Sequence, residues 1–209
     1  MKVIRASQWL DAAGLELCCS VLRQGGVLCY PTETYYGLAI DPSSVKGRER
    51  IYHAKGRAME KELPLIAANR EMVEKFCKTE GPFFRVLADT FWPGPLTLVL
   101  PSREGSMTLA VRVSSHPLAR RISETFGGLI TSTSANLSGD PPVADPALLP
   151  PAMMKEVDVL IDAGITPGGA PSTIVALSDE GIRVLREGAV SAAEIEQAAK
   201  TAKRGRSAS

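Results

Sequence analysis

Val27-Leu28-Cys29-Tyr30-Pro31-Thr32-Glu33-Thr34-Tyr35-Tyr36-Gly37-Leu38 is the stretch on which the fold turns. Gly25-Gly26 break the helical pattern before it, Val27 to Tyr30 read as a buried strand, and Pro31 ends pairing because it has no backbone donor. Thr32 to Thr34 then fall on a loop at a sheet edge. Small ligands bind at such loops, at the carboxyl ends of strands in open α/β sheets, so this cluster of hydroxyls and a carboxylate marks a candidate site. The same residues suit a Pro-started turn whose threonines cap the next element, and local chemistry does not separate the two readings.

Working outward, Leu10, Ala13, Leu17, Val21 and Leu22 recur at helical spacing, with Ser7 as the cap and Gly25 as the stop. Downstream, helices are predicted over Ser44 to Ala54, Arg70 to Lys78, Pro82 to Phe91, Pro117 to Phe126 and Ala192 to about Ala202. Aliphatic and β-branched runs predict strands at Leu96 to Leu100, Leu109 to Val113, Leu129-Ile130, Val157 to Ile161, Thr173 to Leu177 and Arg183 to Arg186. Pro64 to Ala68 is a short apolar segment, and the Pro-rich stretch from Gly139 to Pro151 reads as a surface loop around a short helix. Strands interleaved with helices argue an α/β fold: a single-domain twisted open mixed sheet with helices on its faces.

Composition sets the class. A chain of 209 residues can bury one core, and 44% apolar with 22% charged residues is ordinary for a globular protein. No apolar run approaches the roughly 20 residues of a membrane helix, and Met1 to Gln8 lead into no secretory signal, so no membrane association and a cytoplasmic location are expected. Cys18, Cys19, Cys29 and Cys77 show no CxxC spacing, and His53 and His116 complete no zinc pattern with them. No metal site is expected, and the cysteines read as buried reduced thiols. A net charge of +1 gives no general argument for nucleic acid, and the tail from Lys200 to Ser209 reads as frayed and basic.

Chemistry must come from local clusters. Lys55-Gly56-Arg57, followed by Lys61, sets a point charge and a planar fork one residue apart, suited to phosphate or to a solvated basic loop. Phe91 to Thr97, with two prolines and a glycine, reads as a rigid structural turn. Arg112, inside the strand pattern Ala110-Val111-Arg112-Val113, needs a carboxylate or phosphate partner, and a protein carboxylate satisfies it equally well. Thr131 to Gly139 offer small hydroxyl and amide groups that surround an anion or satisfy their own backbone. Gly168 to Thr173 precede a strand, and Arg186-Glu187-Gly188 follow one. The pattern favours binding and orienting a phosphorylated ligand over covalent catalysis. Neither a P-loop nor a Gly-x-Gly-x-x-Gly after a strand is present.

These motifs resemble the YrdC-type (TsaC) L-threonylcarbamoyladenylate synthases. The resemblance is carried by Pro31-Thr32-Glu33-Thr34 with Tyr36-Gly37-Leu38, Lys55-x-Arg57, Trp92 to Thr97, Ala110-Val111-Arg112, Ser134-Ala135-Asn136, Ser172-Thr173 and Leu185-Arg186-x-Gly188. It implies a YrdC-like domain over residues 1–195, followed by the end of the last helix and a disordered basic tail over 196–209. It further implies a basic cavity holding ATP, L-threonine and bicarbonate with Mg2+, and formation of threonylcarbamoyl-AMP for tRNA threonylcarbamoyladenosine modification. By matching position, Thr34, Arg112 and Ser172 would hold threonine, with Arg112 facing its carboxylate. Lys55, Arg57, Thr108, Ser132, Ser134, Asn136 and Arg186 would surround ATP, with Lys55 and Arg57 the catalytic cations. Downstream tRNA threonylcarbamoyl-transfer proteins are the implied partners. The alternatives are a non-catalytic relative that binds tRNA or double-stranded RNA, and a paralogue with another carbamoyl- or acyl-adenylate substrate. Two departures stand out: the segment from Ala58 to Leu63 is longer than the usual loop, and Ala67-Ala68 lie where family members often carry a histidine.

Overall fold

The computed structural model describes residues 1–6, 10–56, 62–105, 107–178 and 181–206. The chain begins β1 (Lys2–Arg5), α1 (Ala12–Arg23), β2 (Leu28–Pro31), β3 (Tyr36–Ala39), α2 (Val45–Lys55), β4 (Leu65–Ala67) and α3 (Arg70–Phe76). It continues α4 (Pro82–Phe91), β5 (Leu96–Pro101), β6 (Thr108–Val113), α5 (Pro117–Phe126), β7 (Ile130–Thr131) and β8 (Thr133–Ser134). A 3-10 turn (Pro146–Leu148), α6 (Pro151–Glu156), β9 (Val159–Asp162), β10 (Thr173–Ser178), β11 (Gly181–Arg186) and α7 (Ala192–Arg206) complete it. Among the described residues no helix is long and apolar enough to cross a membrane.

The α/β class follows from the sequence, but the strands divide into two mixed sheets. One has the order β1-β9-β2-β3-β8, the other β11-β10-β5-β6-β4-β7. The chain passes between them at Ser132: Thr131 pairs with Leu65 in one sheet, and Thr133 pairs with Leu38 in the other. Thr131 stitches this junction, because its amide donates to Ile40 O (3.2 Å) and its hydroxyl accepts from Ile40 N (3.0 Å). Nothing in a run of serines and threonines specifies such a switch, so one sheet is the simpler reading of the sequence.

Strand periodicity determines what each sheet face does. In β2 and β9, Leu28, Tyr30, Val159 and Ile161 pack on α1 and α5, while Cys29 and Leu160 pack on the opposite side with α2 and α6. Sheet one is therefore covered on both faces. In sheet two, Leu96, Leu98, Leu100, Val111, Val113 and Val175 meet α3, α4 and α7 in a second core. Each fully buried aliphatic side chain contributes about 1.5–3 kcal/mol of hydrophobic stabilisation. The alternate positions, including Ala110, Arg112 and Ile174, face a cavity.

Helix ends correct several boundaries. Ser7 lies outside the described residues; the cap of α1 is Asp11, whose side chain accepts from Gly14 N. Ser44 caps α2 as its sequence position suggests, and α4 and α5 start on Pro82 and Pro117 at their expected bounds. The loop at Thr32–Thr34 is the connection of an antiparallel β2–β3 hairpin inside the first sheet rather than at its edge. Pro31 still pairs, opposite Tyr36, as the last residue of β2. The helix α7 continues to Arg206, so the basic stretch from Lys200 is helical as far as it is described.

Candidate active site

A cavity of about 770 Å³ lies between the uncovered face of the second sheet and the β2–β3 hairpin of the first. Such a volume falls in the range of small-molecule and cofactor sites. Its walls come from segments far apart in sequence: the hairpin, the end of α2, β6, the β7–β8 segment and the start of β10.

At the hairpin, Thr32 shapes the bend. Its hydroxyl donates to Tyr35 O (2.7 Å) and accepts from the amides of Thr34 and Tyr35 (both 3.3 Å). Among the described residues the Thr34 hydroxyl has one hydrogen-bond partner, the Thr32 hydroxyl at 3.3 Å, and Thr34 lines the cavity. The segment around Gly168 docks on this hairpin: Gly168 N donates to Thr34 O (2.7 Å) and the Tyr35 hydroxyl to Gly169 O (2.5 Å).

Glu33, between the two threonines, turns toward β6. Its Oε1 accepts from Arg112 Nη1 and its Oε2 accepts from the Ser114 hydroxyl. Arg112 and Glu33 side chains are 7% and 12% exposed, so this is an almost fully desolvated ion pair. The protein carboxylate that Arg112 requires is thus Glu33. The other guanidinium donors of Arg112 have no protein partner among the described residues, and Arg112 lines the cavity.

Opposite, Ser172 stands at the start of β10. Its hydroxyl oxygen accepts from Thr97 Oγ1 (3.0 Å) and from Arg186 Nη2 (3.2 Å), which leaves its own proton for a ligand in the cavity. Arg186 also donates to Ser172 O (2.6 Å). Burial, with Arg112 nearby, lowers the pKa of the Arg186 guanidinium.

At the far wall, Gly56 closes α2 in the left-handed region (φ 58°), and Lys55 is buried beneath the β8 turn. Its ammonium donates to Ser134 O (2.6 Å) and Asn136 O (2.8 Å). Asn136 is itself fixed, its amide donating to Leu137 O (2.9 Å) and Asp140 O (2.6 Å). These carbonyl contacts fix the ammonium of Lys55 at the cavity wall.

Of the residues singled out from sequence, the cavity brings together Thr34, Lys55, Arg112, Ser132, Ser134, Asn136, Ser172 and Arg186. Thr108 shares a face of β6 with Ala110 and Arg112 but sits at the exposed start of the strand, outside the lining. Arg57, Lys61 and most of the segment from Ala58 to Leu63 lie outside the described residues. Glu33 belongs to the polar loop cluster marked in the sequence but carries no assigned role there, and Ser114 is not singled out at all. The signal was the buried-arginine requirement, whose answer lay 79 positions away.

The lining carries one carboxylate among the described residues, Glu62, and no group of three metal-ligating side chains occurs among them. These residues do not fit a resident divalent-cation site, which draws on carboxylate oxygens. The cysteine thiols are all buried, and burial pushes Cys18 up to about 12 and Cys77 up to about 11, so they are inert rather than nucleophilic.

The model of the Sua5/YciO/YrdC family, described as telomere recombination, matches residues 20–188. The chain belongs to the Sua5/YciO/YrdC family. A threonylcarbamoyl-AMP synthase from Coxiella burnetii is 34% identical over 163 residues, spanning 73% of this chain and 87% of the relative. One from Pyrococcus abyssi is 33% identical over 206 residues, spanning 93% of this chain and 60% of the relative, so the chain accounts for three fifths of that longer family member. A crystal structure of P. abyssi Sua5 complexed with L-threonine superposes with a TM-score of 0.86 at 31% identity, covering 95% of this chain and 61% of that one.

Proposed function

We propose that the protein is an L-threonylcarbamoyladenylate synthase, a nucleotidyltransferase that joins L-threonine, bicarbonate and ATP. The observation that carries this reading is the half-used guanidinium of Arg112, facing the same cavity as the Thr34 and Ser172 hydroxyls. A carboxylate takes the open edge of Arg112 and the spare proton of Ser172, and Thr34 meets the rest of the amino acid. The names of the family relatives support threonine as that amino acid.

ATP lies toward Ser132, Ser134, Asn136 and Lys55, with Arg57 and Arg186 as further cations. The threonine amine captures bicarbonate with loss of water. A carbamate oxygen then attacks the α-phosphorus, the bond to the β-phosphate bridge breaks, and pyrophosphate leaves. Fixed positive charge stabilises the charge that develops on the phosphates, and no side chain becomes a nucleophile. Mg2+ enters on the triphosphate, as part of the substrate. The product is the activated carbamoyl donor for tRNA adenosine modification, completed by downstream proteins.

Calorimetric titration with amino acids tests the substrate class. L-threonine is expected to bind about tenfold or more tightly than L-valine, which keeps the shape and lacks the hydroxyl. Equal affinity for the two, or no binding of threonine with ATP present, overturns the reading.

A further inference from the structure

The Glu33 carboxylate has no spare oxygen. One accepts from Arg112 and the other from Ser114, whose hydroxyl oxygen also accepts from His116 N at 3.2 Å. Ser114 is fully buried, at 0% exposure, so the acceptor that Arg112 meets is anchored from behind by β6 and the start of α5. Arg112 lies on β6 of one sheet and Ser114 follows directly after that strand, while Glu33 comes from the hairpin of the other sheet. The contact therefore fixes two things at once: the rotation of the guanidinium and the spacing between the Thr34 hairpin and β6.

A guanidinium presents two usable edges, and a carboxylate on one leaves the other free for a second planar acceptor. Without an anchor the side chain samples several rotamers, and a ligand must order it on binding. Arg186 lines the same cavity, and burial first, with the positive charge of Arg112 second, lowers the pKa of its guanidinium, so the two cations stand near one another there.

We infer that Glu33 is a positioning residue: it holds Arg112 with one edge turned to the cavity, so that the substrate carboxylate becomes the second carboxylate on a single guanidinium. This rests on the amino-acid reading of the site above. It makes Glu33 a partner of substrate binding, and not a surrogate that must be expelled from Arg112 before the amino acid can enter.

The two possibilities have opposite signs. Threonine and ATP affinities are measured by calorimetry for the wild type, Glu33→Gln, Glu33→Ala and Ser114→Ala, with thermal unfolding of each. Positioning is expected to weaken threonine binding by about tenfold or more in Glu33→Ala and less in Glu33→Gln, with ATP affinity held within about twofold. Unchanged or tighter threonine binding in either Glu33 variant overturns the inference. An equal loss for both ligands also overturns it, by assigning Glu33 to the fold alone. Glu33→Gln keeps the side-chain volume and one acceptor, and so guards against a Glu33→Ala protein that does not fold.

A second readout does not depend on the identity of the ligand. Nitrogen-15 NMR of the arginine side chains is expected to show restricted guanidinium rotation for Arg112 in the wild type and averaged Nη signals in Glu33→Ala. Averaged signals in the wild type overturn the positioning role. Restricted signals together with no threonine binding overturn the substrate reading and leave the positioning role standing.

Discussion

Arg112 and Glu33 form a nearly desolvated ion pair that joins the face of one sheet to the hairpin of the other. Removing one partner of such a pair leaves a buried uncompensated charge and costs about 3–5 kcal/mol. Arg112→Lys avoids that loss, because an ammonium still meets Glu33, yet it has no second planar edge. The variant is expected to fold, with threonine affinity down by about tenfold or more, measured by calorimetry beside a urea titration. Wild-type affinity in a folded Arg112→Lys protein contradicts the role given to the open edge.

Thr34 tests the opposite wall. Among the described residues its hydroxyl makes a single hydrogen-bond contact, with Thr32 at 3.3 Å, so Thr34→Val removes little from the fold. Threonine binding is expected to weaken by about fivefold, the loss of one neutral hydrogen bond, while stability changes by less than about 0.5 kcal/mol. Unchanged affinity removes Thr34 from the site.

Gly188 explains part of a motif by geometry. A Cβ at this position would stand 2.1 Å from Pro171 O and 2.9 Å from the Ser172 carbonyl carbon, and its amide donates to Thr173 Oγ1 at 2.9 Å. Backbone cannot yield as a flexible side chain does. Gly188→Ala is expected to cost about 2 kcal/mol or more and to displace Ser172, so thermal unfolding and threonine affinity should fall together. A variant with wild-type stability contradicts the close approach of these segments.

Asp158 sets an acid limit away from the site. Its carboxylate accepts from Arg50 (2.7 Å) and Val27 N (2.8 Å). Burial alone would raise its pKa, but these bonds outweigh it and hold the carboxyl below its ordinary 3.8. A depressed folded pKa gives stability that is fully present above 3.8 and lost as pH falls through the folded value. Asp158→Asn is expected to cost about 1 kcal/mol near neutrality, limited by the 40% exposure of the side chain, and to approach the wild type in acid. A stability gap that persists unchanged below that range in urea titrations contradicts the assignment.

Much of the fold was legible where one rule sufficed. Pro82 and Pro117 open helices, and the aliphatic runs of β5 and β6 form strands, because burial and local propensity agree there. The strand β3 escaped notice because Tyr36-Gly37-Leu38-Ala39 contains no β-branched residue; its pairing with β2 and β8 overrides that propensity. The Pro-rich stretch from Gly139 to Pro151 reads as a loop around a short helix, and it holds the 3-10 turn; α6 starts on its last proline and runs on to Glu156, because proline is tolerated in the first helical turn. The site was legible as chemistry, in the hydroxyls of Thr34, Ser132, Ser134 and Ser172 that meet in one cavity. Its wiring was not. The need of Arg112 for a carboxylate is local, but the choice of Glu33 depends on how two sheets face one another.

The central claim concerns a reaction, and its most direct measurement follows the carbon of bicarbonate. Purified protein with ATP, Mg2+, L-threonine and carbon-13 bicarbonate should give threonylcarbamoyl-AMP carrying one heavy carbon by mass spectrometry, with one pyrophosphate released per product. Threonine-independent pyrophosphate release, or no labelled product where a known synthase makes it, would contradict the account.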